Sequence, residues 1–167
     1  MLRLLFPRLT AEPERGTALF DAVTVLSREP HWYVAGEVPD TIDGRFAMLA
    51  TVTALMLVRL ERVDGGESLS VALTERFIEV MKSEHREMGL GDPKLGRTVR
   101  KLVGGLSRRI DLWREAIDNG DWTEATAGSV HGSPSDEALE HVAGRLRSLW
   151  SRIVQVPLAA LADGRIE

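Results

Sequence analysis

The chain has 167 residues, and its 21 lysines and arginines against 25 aspartates and glutamates give a formal net charge of −4 at pH 7. This length is typical of one globular domain, and the acidic balance does not favour DNA as a partner. The sequence contains no cysteine, which excludes disulfides, thiol nucleophiles, cysteine-ligated zinc and iron–sulfur clusters.

Residues 1–11 are interpreted as an N-terminal segment that precedes the domain. Their apolar part, residues 2–6, is too short for a secretory signal and is followed by Pro7. The longest apolar run, residues 47–58, is shorter than the roughly 20 residues that a membrane-spanning helix needs. We therefore expect a cytoplasmic protein, which could touch a membrane peripherally through the apolar residues 2–6.

Helical periodicity predominates in the rest of the chain, and sustained strand alternation is absent. The pattern predicts helices over residues 12–27, 43–62, 69–88, 92–119, 121–127 and 135–154. Residues 29–42 contain Pro30, Gly36 and Pro39, which predicts an irregular loop. The predicted fold is all-α: a single-domain bundle of about six helices over residues 12–156, with this loop between the first two and a C-terminal tail over residues 157–167.

Individual helices carry more specific signals. The second predicted helix is apolar on most sides, which is typical of a helix in the middle of a bundle. Asp92 and Pro93 mark the start of the fourth, because Asp caps free amides and Pro at the first helical position loses no hydrogen bond. Glycine and serine in residues 128–134 predict another loop.

No motif indicates catalysis. The four histidines do not form an H-x-x-x-H or H-E-x-x-H pattern, and Gly128 to Gly132 lacks the G-x-S-x-G spacing of a nucleophile elbow. Glu137, Glu140 and His141 could contribute to a metal site with distant carboxylates, but acidic residues are ordinary in a first helical turn. We expect no enzyme and no cofactor, and keep a small hydrolase or metal enzyme as the least favoured alternative.

A basic stripe on the fourth predicted helix is the first candidate binding surface. It consists of Lys94, Arg97, Lys101 and Arg108, which recur near helical spacing, with Arg100 and Arg109 beside them. Such a stripe could contact an acidic protein, ribosomal RNA or anionic lipid headgroups. The alternative is a solvated helix face with ordinary ion pairs.

The loop around residues 32–45 is the second candidate. Trp32 and Tyr33 lie in irregular chain, and Asp40, Asp43 and Arg45 surround a predicted helix start. Trp, Tyr and Arg contribute strongly to protein interfaces, so this loop could contact a partner. In the alternative, the aromatic residues pin the loop to the core, Asp43 caps the helix and Arg45 pairs with Asp40.

Two longer strings of residues carry a family resemblance. Residues 38–49 read VPDTIDGRFAML and residues 86–92 read REMGLGD, and further matches are Trp32, Tyr33, Phe77, Met81, Gly96, Val99, Arg100 and Lys101. Over residues 12–132 the chain resembles the ubiquinol-cytochrome c chaperone family, the assembly factors for cytochrome b of respiratory complex III. After Leu102 the resemblance weakens, since Leu106-Ser107-Arg108-Arg109 stands where the family tends to have Phe-Tyr-Gly-Arg.

The resemblance implies an all-helical, non-enzymatic chaperone that holds newly made cytochrome b until haem insertion and assembly. It also implies that the protein works peripherally at the inner face of the cytoplasmic membrane. In mitochondrial relatives a small helical partner protein and the ribosome exit region are involved, so either is an expected further partner. The predicted partner-binding residues are Trp32, Tyr33, Asp40, Asp43, Arg45, Arg86, Glu87, Asp92, Lys94, Arg97, Arg100, Lys101 and Arg109. The alternative function is a peripheral helical adaptor that binds anionic lipid or another helical protein.

Overall fold

The computed structural model describes residues 12–87, 92–130 and 132–166, without the side chains of residues 12–15, 85, 86 and 92–95. Within these ranges it contains helices and no strand, which confirms the predicted all-α class. The helices are α1 (Glu12–Ser27), α2 (Pro30–Tyr33), α3 (Ile42–Glu61), α4 (Glu67–Glu87), α5 (Asp92–Asn119), α6 (Trp122–Val130), α7 (Asp136–Ile153) and α8 (Leu158–Ala162).

Helix α3 lies in the centre of the bundle, as its apolar sequence predicted. It packs against α1, α4, α5, α6 and α7. Every residue from Met48 to Leu57 is buried. Because a fully buried Leu, Val, Ile or Met side chain contributes about 1.5–3 kcal/mol, this helix supplies a large part of the hydrophobic stabilisation.

The start of α3 differs in one detail from the prediction. Thr41, rather than Asp43, caps the helix: its side-chain oxygen accepts a hydrogen bond from the amide of Gly44 at 3.2 Å. Asp43 lies in the first turn, where a carboxylate interacts favourably with the helix dipole. The predicted ion pair is present, since Arg45 Nε lies 2.6 Å from the Asp40 carboxylate.

Three segments are more ordered than predicted. Helix α2 interrupts the expected loop, because Pro30 is favourable in a first helical turn and Trp32 inserts into the core. Helix α6 continues to Val130, since Ser129 and Val130 are buried. The residues expected as a C-terminal tail include α8, which packs on α1 and buries Leu161 and Ile166.

Among the described residues, no helix combines the length and apolarity needed to span a lipid bilayer.

Candidate partner-binding cleft

A cleft of about 800 Å³ lies between the start of α3, the C-terminal half of α4 and the middle of α5. It contains part of each candidate region from the sequence: the end of the 32–45 region, which forms the first turn of α3, and part of the basic stripe. The lining residues are Ser27, Arg28, Ile42, Asp43, Arg45, Phe46, Leu49, Met81, Glu84, Thr98, Lys101, Leu102, Gly105, Arg108 and Arg109.

The base of the cleft is apolar. Leu49, Met81 and Leu102 belong to the core cluster, and the half-buried Phe46 ring packs against Phe77 with centroids 6.1 Å apart. Ile42 differs from these residues, because 70% of it is exposed at the edge of the cleft. The cleft therefore offers apolar surface to an incoming molecule.

Close backbone packing fixes the position of Ile42. Gly44 is buried in the first turn of α3, and a Cβ at this residue would overlap the carbonyl oxygen of Pro39. The loop thus lies directly on the start of α3. This contact and the Thr41 cap hold the first turn in one orientation.

The edges of the cleft are predominantly cationic. Among the described residues, the cations Arg28, Arg45, Lys101, Arg108 and Arg109 line it against two carboxylates, those of Asp43 and Glu84. Arg45 is neutralised in part by Asp40, and the hydrogen bond from Arg45 lowers the pKa of that carboxyl. The cleft consequently presents a net positive potential beside apolar surface.

Three of these cations have no carboxylate partner in the described part of the chain. Arg28, Lys101 and Arg108 are exposed, and none forms an ion pair with a described acidic residue. Their charges are therefore available to a ligand.

Arg109 is different, because its guanidinium is half-buried and engaged by the protein backbone. Its two terminal nitrogens donate to the carbonyl oxygens of Ser129 at 3.0 Å and Gly105 at 3.4 Å. Burial, with a smaller contribution from Arg108, lowers the pKa of Arg109. Arg109 thus positions α5 against α6 as well as lining the cleft.

Ser129 is also the centre of a buried hydrogen-bond network that the sequence did not indicate. Its Oγ accepts a hydrogen bond from the indole nitrogen of Trp113 at 3.1 Å and shares another with the Thr51 hydroxyl at 2.7 Å. The network joins α3, α5 and α6 behind the cleft. The Gly-Ser composition around Ser129 is typical of a loop and gives no sign of this network.

Trp32 does not lie on an accessible surface: it is 2% exposed, and its indole nitrogen donates to the Leu26 carbonyl at 2.7 Å. The half-buried Tyr33 hydroxyl donates to the Ser27 carbonyl at 2.8 Å. Burial raises the pKa of Tyr33. These aromatic residues therefore pin the segment to the core, which was the alternative reading of the loop.

The remaining predicted residues divide into two groups. Arg97, Arg100 and Glu87 are exposed but do not line the cleft. The side chains of Arg86, Asp92 and Lys94 lie outside the described residues. Ile42 and Arg28 line the cleft but were not predicted as partner-binding residues. The available sequence signals were an apolar residue at the start of one helix and a basic residue just after the end of another.

A second, smaller cavity of about 440 Å³ contains the acidic cluster of the last long helix. Glu37, Glu137, Glu140 and His141 line it. In residues 12–87, 92–130 and 132–166, no three His, Asp or Glu side chains are placed to hold a metal ion. The cluster therefore gives no support to the metal-enzyme alternative.

His31 lies beside this region, on α2. Its Nε2 is 2.7 Å from the Glu29 carboxylate, and its ring centroid is 5.5 Å from that of His141 on α7. Burial lowers the pKa of His31, although the hydrogen bond to Glu29 opposes the shift. Burial therefore disfavours the protonated form of His31 in the folded protein.

Comparisons with known proteins match the chain at the level of family and fold. The family model described as "Ubiquinol-cytochrome C chaperone" matches residues 35–167, which include the α3, α4 and α5 residues of the cleft. The crystal structure of the Cbp3 homolog from Brucella abortus matches 98% of this chain and 94% of its own, with a TM-score of 0.80 and 22% sequence identity. No curated protein matches the sequence significantly. At that identity the structural match shows a common fold.

Proposed function

The chain belongs to the ubiquinol-cytochrome c chaperone family, and on this premise we propose that it binds newly synthesised cytochrome b and assists the assembly of respiratory complex III. The observation that carries the proposal is the cleft, because it joins accessible apolar surface to a cationic edge. A protein that holds an unassembled membrane protein needs such a surface and needs no catalytic group. We accordingly propose a binding function without enzymatic activity or cofactor.

The apolar base of the cleft would receive apolar side chains of the client. Burying apolar surface contributes about 25 cal/mol per Å² removed from water. Ile42 should contribute most of this free energy, because its side chain is fixed in position and largely exposed before binding. The cations at the edge would fix the orientation of the client, since charge complementarity contributes more to specificity than to affinity.

Among the partner-binding residues predicted from sequence, Asp43, Arg45 and Lys101 are proposed as direct contacts because they line the cleft. Trp32, Tyr33 and Asp40 support this surface through their contacts with Leu26, Ser27 and Arg45. Arg109 has a double role, as it lines the cleft and bonds α6.

The exposed residues beyond the cleft suggest where further partners would bind. Arg97 and Arg100 extend the positive surface along α5, and Glu87 lies at the end of α4. We propose that this extension contacts the ribosome exit region or a small helical partner protein, at the inner face of the cytoplasmic membrane. Arg86, Asp92 and Lys94 remain sequence-based proposals for the same surface.

The direct test is co-purification of cytochrome b with tagged protein in detergent extracts. The Ile42→Asp variant places a charge on the apolar edge of the cleft and should lose most of the bound cytochrome b. Val71→Asp is the matched control, because Val71 is an exposed valine of α4 that does not line the cleft. Equal recovery of cytochrome b with both variants would contradict the proposed site.

The adaptor alternative has its own readout. Flotation with vesicles of anionic phospholipid, compared with zwitterionic vesicles, measures whether the cationic edge is sufficient for membrane binding. Vesicle binding together with failure to recover cytochrome b would favour the adaptor.

A further inference from the structure

The cations of the cleft are distributed along it rather than gathered at one point. On α5, lining residues extend from Thr98 to Arg109, which corresponds to about 16 Å, or three helical turns. Lys101 and Arg108 are seven residues apart on this helix, so they lie on one face about 10 Å from each other. Positive charge without a partner among the described carboxylates therefore occurs at two levels along the cleft.

The opposite side of the cleft also carries cations. Arg28 follows the end of α1 and Arg45 lies in the first turns of α3, so the apolar base is flanked by basic residues on both sides. Asp43 and Glu84 reduce the positive potential locally, but among the described lining residues the cations remain in excess. The arrangement is an apolar strip with positive edges.

These features together define the shape of a complementary molecule. We infer that the cleft takes an amphipathic helical segment of polypeptide, about three turns long, whose apolar face is flanked by carboxylates about two turns apart. The inference rests on the proposed function and specifies which kind of segment of a client or partner the site recognises. Helices of this type bind by laying an apolar face in a groove, and arginine pairs well with carboxylates through its planar fork.

The distribution of charge favours a polypeptide over a lipid. A phospholipid headgroup with a single phosphate concentrates its charge at one point, which would be matched by cations converging on one end of the cleft. Here Lys101 and Arg108 are separated along α5, and Arg28 and Arg45 approach from the other side. A helix with separated carboxylates can satisfy such cations at the same time.

Synthetic peptides of about 15 residues, long enough for the cleft, test the inference by fluorescence anisotropy with the full chain. One peptide carries an apolar helical face with flanking glutamates seven residues apart, and a second has lysines in their place. The glutamate peptide should bind at least about tenfold more tightly at low salt, and the difference should shrink as salt screens the charges.

Charge reversal supplies the decisive control. The Lys101→Glu, Arg108→Glu variant should bind the lysine peptide in preference to the glutamate peptide. The Arg145→Glu, Arg152→Glu variant changes two exposed charges that are also seven residues apart, on α7 and outside the cleft, and should keep the original preference. Circular dichroism checks that each variant is folded.

Equal binding of the two peptides, or an unchanged preference after charge reversal in the cleft, would overturn the inference. If neither peptide binds and anionic vesicles bind tightly, the inference is overturned in favour of a lipid ligand. If the glutamate peptide fails while Ile42→Asp still abolishes recovery of cytochrome b, this inference falls and the proposed function stands. If the peptide binds as expected and cytochrome b is never recovered, the proposed function falls instead.

Discussion

Arg109 donates a hydrogen bond to the backbone carbonyl of Ser129 across 3.0 Å, and this bond joins the cleft to the C-terminal end of α6. Carbonyls in the last turn of a helix have no intrahelical partner, so a guanidinium from another helix is a stabilising neighbour. The cleft is therefore connected through Arg109 to the buried network of Ser129.

Replacing Arg109 with lysine should destabilise the protein even though the charge is kept. A lysine cannot reach the Ser129 and Gly105 carbonyls with two fixed donors, so we expect a loss of about 1–3 kcal/mol in the free energy of unfolding. Urea denaturation measures this loss. Arg108→Lys is the control, because Arg108 is exposed, and it should change stability by less than about 0.5 kcal/mol. Equal effects would show that the bonds of Arg109 contribute nothing.

Ser129→Ala should also be destabilising, although it removes only one oxygen. The change leaves the Trp113 indole and the Thr51 hydroxyl without their buried partner, which costs about 1–3 kcal/mol. Thermal or urea unfolding followed by tryptophan fluorescence reports the effect. Ser148→Ala removes an exposed hydroxyl that donates to Gly144, and should be nearly neutral. If the Ser129→Ala variant were as stable as the Ser148→Ala variant, the stabilising role of the network would be contradicted.

The sequence was informative about the long helices because their signals are local. The proline in the first turn of α1 and the Asp92-Pro93 pair at α5 specify starts that do not depend on neighbouring elements. The apolar surface of α3 likewise predicts its central position. The α6 end was missed because burial of Ser129 and Val130 overrides a composition typical of loops.

The candidate site was only partly predictable, because it depends on contacts between residues that are distant in sequence. Local patterns identified Arg45 in the region of residues 32–45 and Lys101 in the basic stripe, as two separate candidate surfaces. Their meeting in one cleft depends on α5 packing against α3, which is a non-local contact. The same limitation applies to Trp32, whose burial follows from how α2 packs and not from its neighbours in sequence.

Gly44→Ala should displace the loop that packs against the first turn of α3 and should thereby destabilise the protein. The added Cβ meets the Pro39 carbonyl in the buried first turn of α3, so the loop must shift, at a cost of about 1–3 kcal/mol. Gly96→Ala provides the contrast, because a Cβ there meets no atom within 4 Å and alanine favours helix by about 1 kcal/mol over glycine. Opposite signs in urea denaturation are expected. A neutral Gly44→Ala would show that the loop does not fix the start of α3.

His31 should make stability depend on pH. Because burial lowers the pKa of His31 from its ordinary 6.5, the unfolded chain takes up a proton before the folded chain does. The stabilisation is present above pH 6.5 and is lost as the pH falls through the lower folded pKa. Protonated His31 would face Glu29, which favours the charge, and Arg145 and His141, which oppose it.

The measurement is the free energy of unfolding of wild type and His31→Gln between about pH 7.5 and 5. We expect a smaller loss of stability on acidification in the variant, since its residue 31 does not titrate. Identical pH profiles for the two proteins would contradict a lowered pKa at His31.

We propose that this chain maintains cytochrome b through the cleft, and the amount of cytochrome b in membranes tests this proposal most directly. Haem b spectra and immunoblots would compare a strain lacking the gene with strains carrying wild type, Ile42→Asp or Val71→Asp. Cytochrome b should fall in the deletion and Ile42→Asp strains and recover with wild type and Val71→Asp, while other oxidases persist. Unchanged cytochrome b in the deletion strain would contradict the account.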